Sequence, residues 1–284
     1  MSKYLKVAPY KKRKLRSGDW IIISSSGNPL VIDAHTLRIL CNKEINSDIF
    51  ELHFIELLKE EGFLVDIYRL NRIPEEPTSF KFKFFSFLML AIGGVSLLGV
   101  VYYILYSGLP FSKSINLLAA NPILGVIILV IFSILTTFLH EVMHLIYSNS
   151  LKSQDNKINI SMTKAVATVS MTHIWTWSLI GRIVAIVSGI CLDLLILFIV
   201  FFFNQRIHFE YSSLLESILI TRIVWQFRVQ NKTDIRLFIE LVRDDPFLFE
   251  KKTVSIKIIN FLGFLVNILI ILIWLVPLSN YLRM

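Results

Sequence analysis

The strongest constraint on this chain is the stretch from Ile123 to Tyr147, which is apolar for long enough to cross a bilayer as a helix and carries His140-Glu141-Val142-Met143-His144 near its end. Positions i and i+4 of a helix share one face about a turn apart, so both imidazoles can reach a single metal ion. Glu141 lies one step around the helix, where it can take a proton from a metal-bound water. Short patterns of this kind also arise by chance in soluble helices. Within an apolar span that explanation weakens, because ionisable groups near hydrocarbon are costly without partners or a function.

Composition points the same way. Hydrophobic residues make up 55% of the 284, with 22 Phe, and the mean hydropathy is +0.65, well above a soluble norm and expected of a multi-span membrane protein. The net charge of +8 would suit nucleic acid, but no basic helix with base-stacking aromatics occurs, and orientation in a membrane accounts for the charge better. Cys41 lies in a polar region and Cys191 in an apolar one, which suggests neither a disulfide framework nor a thiolate metal site. The first 80 residues, mostly polar, show no secretory h-region.

Residues 1–16 read as a basic, solvated leader able to rest on anionic lipid, with Lys3, Lys6, Lys11, Lys12, Arg13, Lys14 and Arg16. Trp20 to Ser24 and Leu30 to Asp33, flanking a Ser/Gly/Asn turn at residues 25–28, predict a hairpin. Asp48 and Glu51 predict a capping box for a helix with Phe50, Phe54, Leu57 and Leu58 on its apolar stripe, stopped by Gly62. Arg69 to Pro77 reads as a linker. Residues 1–77 are therefore expected to form a small α+β cytoplasmic domain, and residues 78–284 a helical membrane domain. On Gly27 to Asp33 and on Leu57 to Leu64, the first domain resembles the winged-helix domain of the pyrroloquinoline quinone biosynthesis protein D type. That resemblance implies binding of the leader peptide of a ribosomally made precursor. A generic cytosolic cap on the membrane domain is the competing reading.

Five spans are expected by length and apolarity, at about 84–106, 123–147, 178–203, 211–227 and 258–278. Glu216 and Arg222 interrupt the fourth. Basic residues crowd the N-terminal region, the loop with Lys152, Lys157 and Lys164, and the segment from Arg228 to Lys257, whereas Lys113 and Arg206 stand nearly alone in the other loops. The bias predicts an N-terminus and a metal site on the cytoplasmic side and a C-terminus outside.

A catalytic zinc commonly takes three protein ligands and a water, so one ligand is missing from the motif. Asp193, in the third span, and Asp234, after the fourth, are the candidates. At 1.5 Å per residue the histidines lie roughly 5–10 Å from the inner surface, Asp193 roughly 18–22 Å deep and Asp234 close to the inner face. Depth alone leaves both open. Asp234 would otherwise cap a helix starting at Ile235, and Asp193 would pair with Arg222. His173, beside Trp175 and Trp177, is expected at the membrane surface, and His35, His53 and His208 have no metal-like spacing.

With His140-Glu141-Val142-Met143-His144 in a span, a following loop and further spans, the chain resembles the site-2 protease family of intramembrane zinc metallopeptidases, in particular bacterial relatives found with peptide-modification and bacteriocin systems. The stretch from Asn231 to Leu241 is similar to the family segment that supplies a third ligand, and Ser188 to Asp193 to its Gly-rich span. The resemblance implies Zn2+ held by His140, His144 and Asp234, with Glu141 as the catalytic base and Asp193 as alternative ligand or support. It further implies hydrolysis of a peptide or membrane-protein substrate at the bacterial cell membrane, in maturation of a ribosomally made peptide. The loop from Ile158 to Thr172 could offer an extended substrate a β edge. A non-catalytic export or immunity partner with a structural metal is the alternative. A transporter is a third, less supported by a cluster confined to one end of the membrane domain and no repeated half.

Overall fold

The computed structural model describes residues 4–25, 28–64, 73–151, 159–161, 166–168, 171–207 and 209–283. The expected turn residues Ser26 and Gly27, much of the linker, the loop lysines Lys152, Lys157 and Lys164, and His208 lie outside the described residues. The chain divides into two compact units, Met1–Pro77 with Leu145–Arg182, and Thr78–His144 with Ile183–Met284. Leu145–Arg182 thus belongs with the N-terminal unit.

In the first unit, strands β1 (Tyr4–Lys6), β2 (Lys11–Lys14), β3 (Trp20–Ile23), β4 (Leu30–Ile32) and β5 (Glu44–Asn46) accompany helices α1 (Ala34–Leu40) and α2 (Leu52–Glu60). Strands β2, β3 and β4 form an antiparallel sheet in that order, and β1 pairs with β5. The expected hairpin is the β3–β4 pair, with Ile21 opposite Val31. The basic leader is not a solvated tail, since Lys11–Lys14 is a full strand on β3. Its alternating residues Lys11 and Arg13 are half-buried, because long aliphatic stems can cover apolar surface while the charge stays outside. Lys11 Nζ donates to the Pro74 carbonyl at 3.2 Å, and Arg13 Nε to that of Trp175 at 2.5 Å.

The core of this unit gathers Ile22, Ile32, Leu37, Leu40, Ile45, Ile55, Leu58, Phe63 and Leu64. Asp33 caps α1 by accepting from Thr36 N at 2.7 Å. The expected capping box on α2 does not form. Asn46 instead accepts from Asp48 N in a 3-10 turn, Ser47–Ile49, and Glu51 is an N-cap without a side-chain bond. Gly62 ends α2 at φ +70°, a conformation open to glycine. In the loop segment, β6 (Asn159–Ser161) pairs with β7 (Val166–Thr168). A 3-10 turn, Thr172–Thr176, buries Ile174 and Trp175, with Trp177 buried just beyond it. Glu76 accepts from both the amide and the hydroxyl of Ser178.

The helices of the second unit are α3 (Phe80–Ser107), α4 (Phe111–Ala120), α5 (Pro122–Tyr147), α6 (Leu179–Ile207), α7 (Ser212–Trp225), α8 (Asp234–Arg243) and α9 (Val254–Tyr281). Four of them, α3, α5, α6 and α9, are long and apolar enough to cross a membrane, so the chain is an integral membrane protein. The fifth expected span is not among them. Residues 211–227 fold as α7, whose 14 residues reach about 21 Å, short of a hydrocarbon core of about 30 Å.

Helices α3 and α6 run parallel at close approach, with Gly93 against Cys191, Gly99 against Phe198 and Tyr103 stacked on Phe201. Helix α5 runs antiparallel to α6, His140 lying against Gly189 and His144 against Ala185. Helix α9 runs antiparallel to α7, since Gly263 faces Val229 while Trp274 Nε1 donates to Thr221 Oγ1. At the far end of α7, Ser114 donates to the Ser213 carbonyl and meets Ser217 Oγ, both at 2.7 Å. Such bonds between apolar helices satisfy hydroxyls that hydrocarbon would leave unpaired. Half of the apolar window of α6 is buried, against 6% in α9. Helix α6 is thus the inner element, and it carries Asp193.

Candidate metal centre

Helix α5 places His140 and His144 on one face with ring centroids 4.8 Å apart, each residue only 2% exposed. The face is closed by Gly189 of α6, where an added Cβ would lie 2.6 Å from the His140 ring. No other residue leaves room for an imidazole there.

The Nδ1 atoms set the tautomers. His144 Nδ1 lies 2.8 Å from the Ala185 carbonyl, which can only accept, so this nitrogen carries the proton. His140 Nδ1 lies 2.8 Å from Asp193 Oδ2, a carboxylate oxygen that also forms an ion pair with Arg222 Nε at 3.1 Å, so His140 donates too. Both rings consequently present an Nε2 lone pair, oriented by a carbonyl and a carboxylate as metal-ligating histidines usually are.

Asp234 meets these lone pairs. Its Oδ2 is 2.9 Å from His140 Nε2 and 3.4 Å from His144 Nε2. Asp234 is the first residue of α8 but not its cap. Thr233 takes that place, accepting from Arg236 N, and leaves the Asp234 carboxylate to face α5. The Asp234 amide is held by Gln226 Oε1 at 3.2 Å.

The ligand atoms of His140, His144 and Asp234 all lie within 4.8 Å of one another. His144 Nε2 is buried and has no hydrogen-bond partner among the described residues. Three lone-pair donors, one of them orphaned, converging without a proton donor between them fit a small divalent cation, and two imidazoles with one carboxylate are a zinc-type set. Glu141, 8% exposed, sits beside this cluster within the fields of His144, His140, Asp234 and Arg222.

Asp193 is not one of the three convergent groups. It bonds His140 from behind and pairs with Arg222. His173 lies in the other unit, 5% exposed rather than at a surface, with its Nε2 donating to the Ser148 carbonyl at 2.7 Å. His35 and His53 sit in α1 and α2. Thr137, whose hydroxyl accepts from Arg222 Nη1 at 3.0 Å, and Gln226 were not singled out by sequence. Thr137 stands one turn before His140, one of three Ser or Thr side chains, with Ser133 and Thr136, on the mainly apolar α5, and it is its place on the His140 side that marks it. Comparison with family models, with curated proteins and with solved structures finds no match.

Proposed function

We propose that the chain is a membrane-embedded zinc metallopeptidase of the kind its motif resembles, a site-2 protease-like enzyme that cleaves a peptide or membrane-protein substrate. The observation that carries this reading is the convergence of His140 Nε2, His144 Nε2 and Asp234 Oδ2, with Glu141 adjoining them. These three side chains would hold the ion. When bound, zinc supplies Lewis acidity, acidifying a water and polarising a scissile carbonyl. Glu141 accepts the proton released by that water and returns it to the leaving amine. Asp193 and the Ala185 carbonyl keep both Nε2 lone pairs turned inward.

The distribution of lysine and arginine favours a cytoplasmic N-terminus, a site opening on that side and an outward C-terminus. On the same reading residues 1–77, whose described residues form two small sheets and two α-helices, bind the leader of a precursor peptide, and the enzyme acts in the maturation of a ribosomally made peptide at a bacterial membrane. The decisive experiment is Glu141→Gln, with cleavage of a co-expressed precursor and zinc content measured together. Loss of cleavage with zinc retained is the expected result. Undiminished cleavage would make the chain a non-catalytic membrane partner with a structural metal.

A further inference from the structure

We infer that Arg222 is a positioning residue of the metal centre, acting on His140 through Asp193; this rests on the zinc reading above. A guanidinium within an apolar helix is expensive unless its partners and role offset the expense. The partners of Arg222 are specific. Its Nε reaches Asp193 Oδ2 at 3.1 Å, the same oxygen that accepts from His140 Nδ1 at 2.8 Å, and its Nη1 donates to Thr137 Oγ1 at 3.0 Å. Thr137 lies on α5 one turn before His140. One planar group therefore ties α7 to α5 and to α6 behind the imidazole, on the side away from its lone pair.

The other oxygen of Asp193, Oδ1, is buried with no hydrogen-bond partner among the described residues, and the Asp193 side chain has no exposure at all. Among the described residues Arg222 is thus the one charged group paired with Asp193 from outside the ligand set, and it fixes which way the carboxylate faces. A lysine could supply the charge but not two nitrogens held at a fixed spacing, one on Asp193 and one on Thr137.

The test uses the full-length protein in detergent, loaded with cobalt(II) as a spectroscopic substitute, and reads affinity by chelator competition and geometry by the d–d bands. Arg222→Met is expected to weaken cobalt binding about 10–100-fold and to shift the bands, as loss of a group behind a ligand does. Arg222→Lys, which keeps the charge and guards against a variant that fails to fold, is expected to recover part of the affinity while its bands remain shifted. Adding Arg222→Met to Asp193→Asn should cost little beyond Asp193→Asn alone, because the two act as a unit. Wild-type affinity and bands in both Arg222 variants, or losses that multiply in the double variant, would overturn the inference. A wild-type protein that takes up no more cobalt than His144→Ala would overturn the metal reading itself, which is a different result.

Discussion

Asp193 and His140 meet at 2.8 Å although counting residues from the ends of their helices sets them at different depths. The side-chain directions explain it. Every Cα–Cβ bond tilts toward the N-terminus of its helix, and α5 and α6 run antiparallel, so the His140 ring and the Asp193 carboxylate lean toward each other along the bundle axis. Each side chain reaches about a turn along its helix from its own Cα, which closes the gap in depth.

Asp234 and Asp193 are separable by metal content. Asp234→Ala removes one of three convergent ligand atoms and should abolish stoichiometric zinc at micromolar free metal. Asp193→Ala should keep zinc with an affinity lowered about 10–100-fold. Zinc analysis of the two purified variants beside wild type checks this, and the reverse pattern would exchange their roles.

Gly189 is predicted to be intolerant of a methyl group. The added Cβ would lie 2.6 Å from the His140 ring, and overpacking of this kind costs about 1–3 kcal/mol. Because the ring is the element that must give way, Gly189→Ala should lower metal affinity more than thermal stability. The two quantities measured on one preparation decide it.

His173 gives the first unit a dependence on acidity. Burial disfavours its imidazolium, the Ser148 carbonyl partly compensates and Lys11 adds to the lowering, so its folded pKa lies below the ordinary 6.5. The unfolded chain then binds the proton more readily than the folded one. Its stabilising contribution is complete above about pH 6.5 and is lost as pH falls below that value. Thermal unfolding should show a larger drop between about pH 7.5 and about pH 5.5 for wild type than for His173→Gln.

Cys41 should be the reactive thiol. The Tyr10 hydroxyl at 3.7 Å and the Lys12 ammonium at 3.2 Å from Sγ hold this exposed thiol below its usual range. Alkylation near neutral pH, followed by peptide mass mapping, should label Cys41 and spare buried Cys191. Tyr10→Phe and Lys12→Gln should each slow the labelling several-fold, by the thiolate fraction they remove.

The readings that held were local ones. A periodic apolar run with two histidines at i and i+4 specifies its helix and its shared face without help from the rest of the chain, and Gly62 marks a helix end by its own backbone freedom. The failures were long-range. Lys11 to Lys14 has no apolar alternation to announce a strand, and becomes one because Trp20–Ile23 offers it a partner. Residues 211–227 are apolar enough to pass for a span, yet Glu216 bonds Asn204 and Arg222 bonds Asp193, contacts that belong to a helix held by protein rather than lipid. Asp234 could be read as a cap or as a ligand. Thr233, immediately before it, takes the cap, which removes that reading of Asp234 because two adjacent residues do not both cap one helix.

Helix α7 stops at Trp225, and the chain from Gln226 to Thr233 continues in turns. Irregular backbone cannot face hydrocarbon, so this stretch must be sheathed by protein or wetted. A short helix therefore does what a full span would prevent. It brings turn backbone, and with it the Gln226 side chain that accepts from the Asp234 amide, to a place in the bundle that an unbroken span would fill with helix.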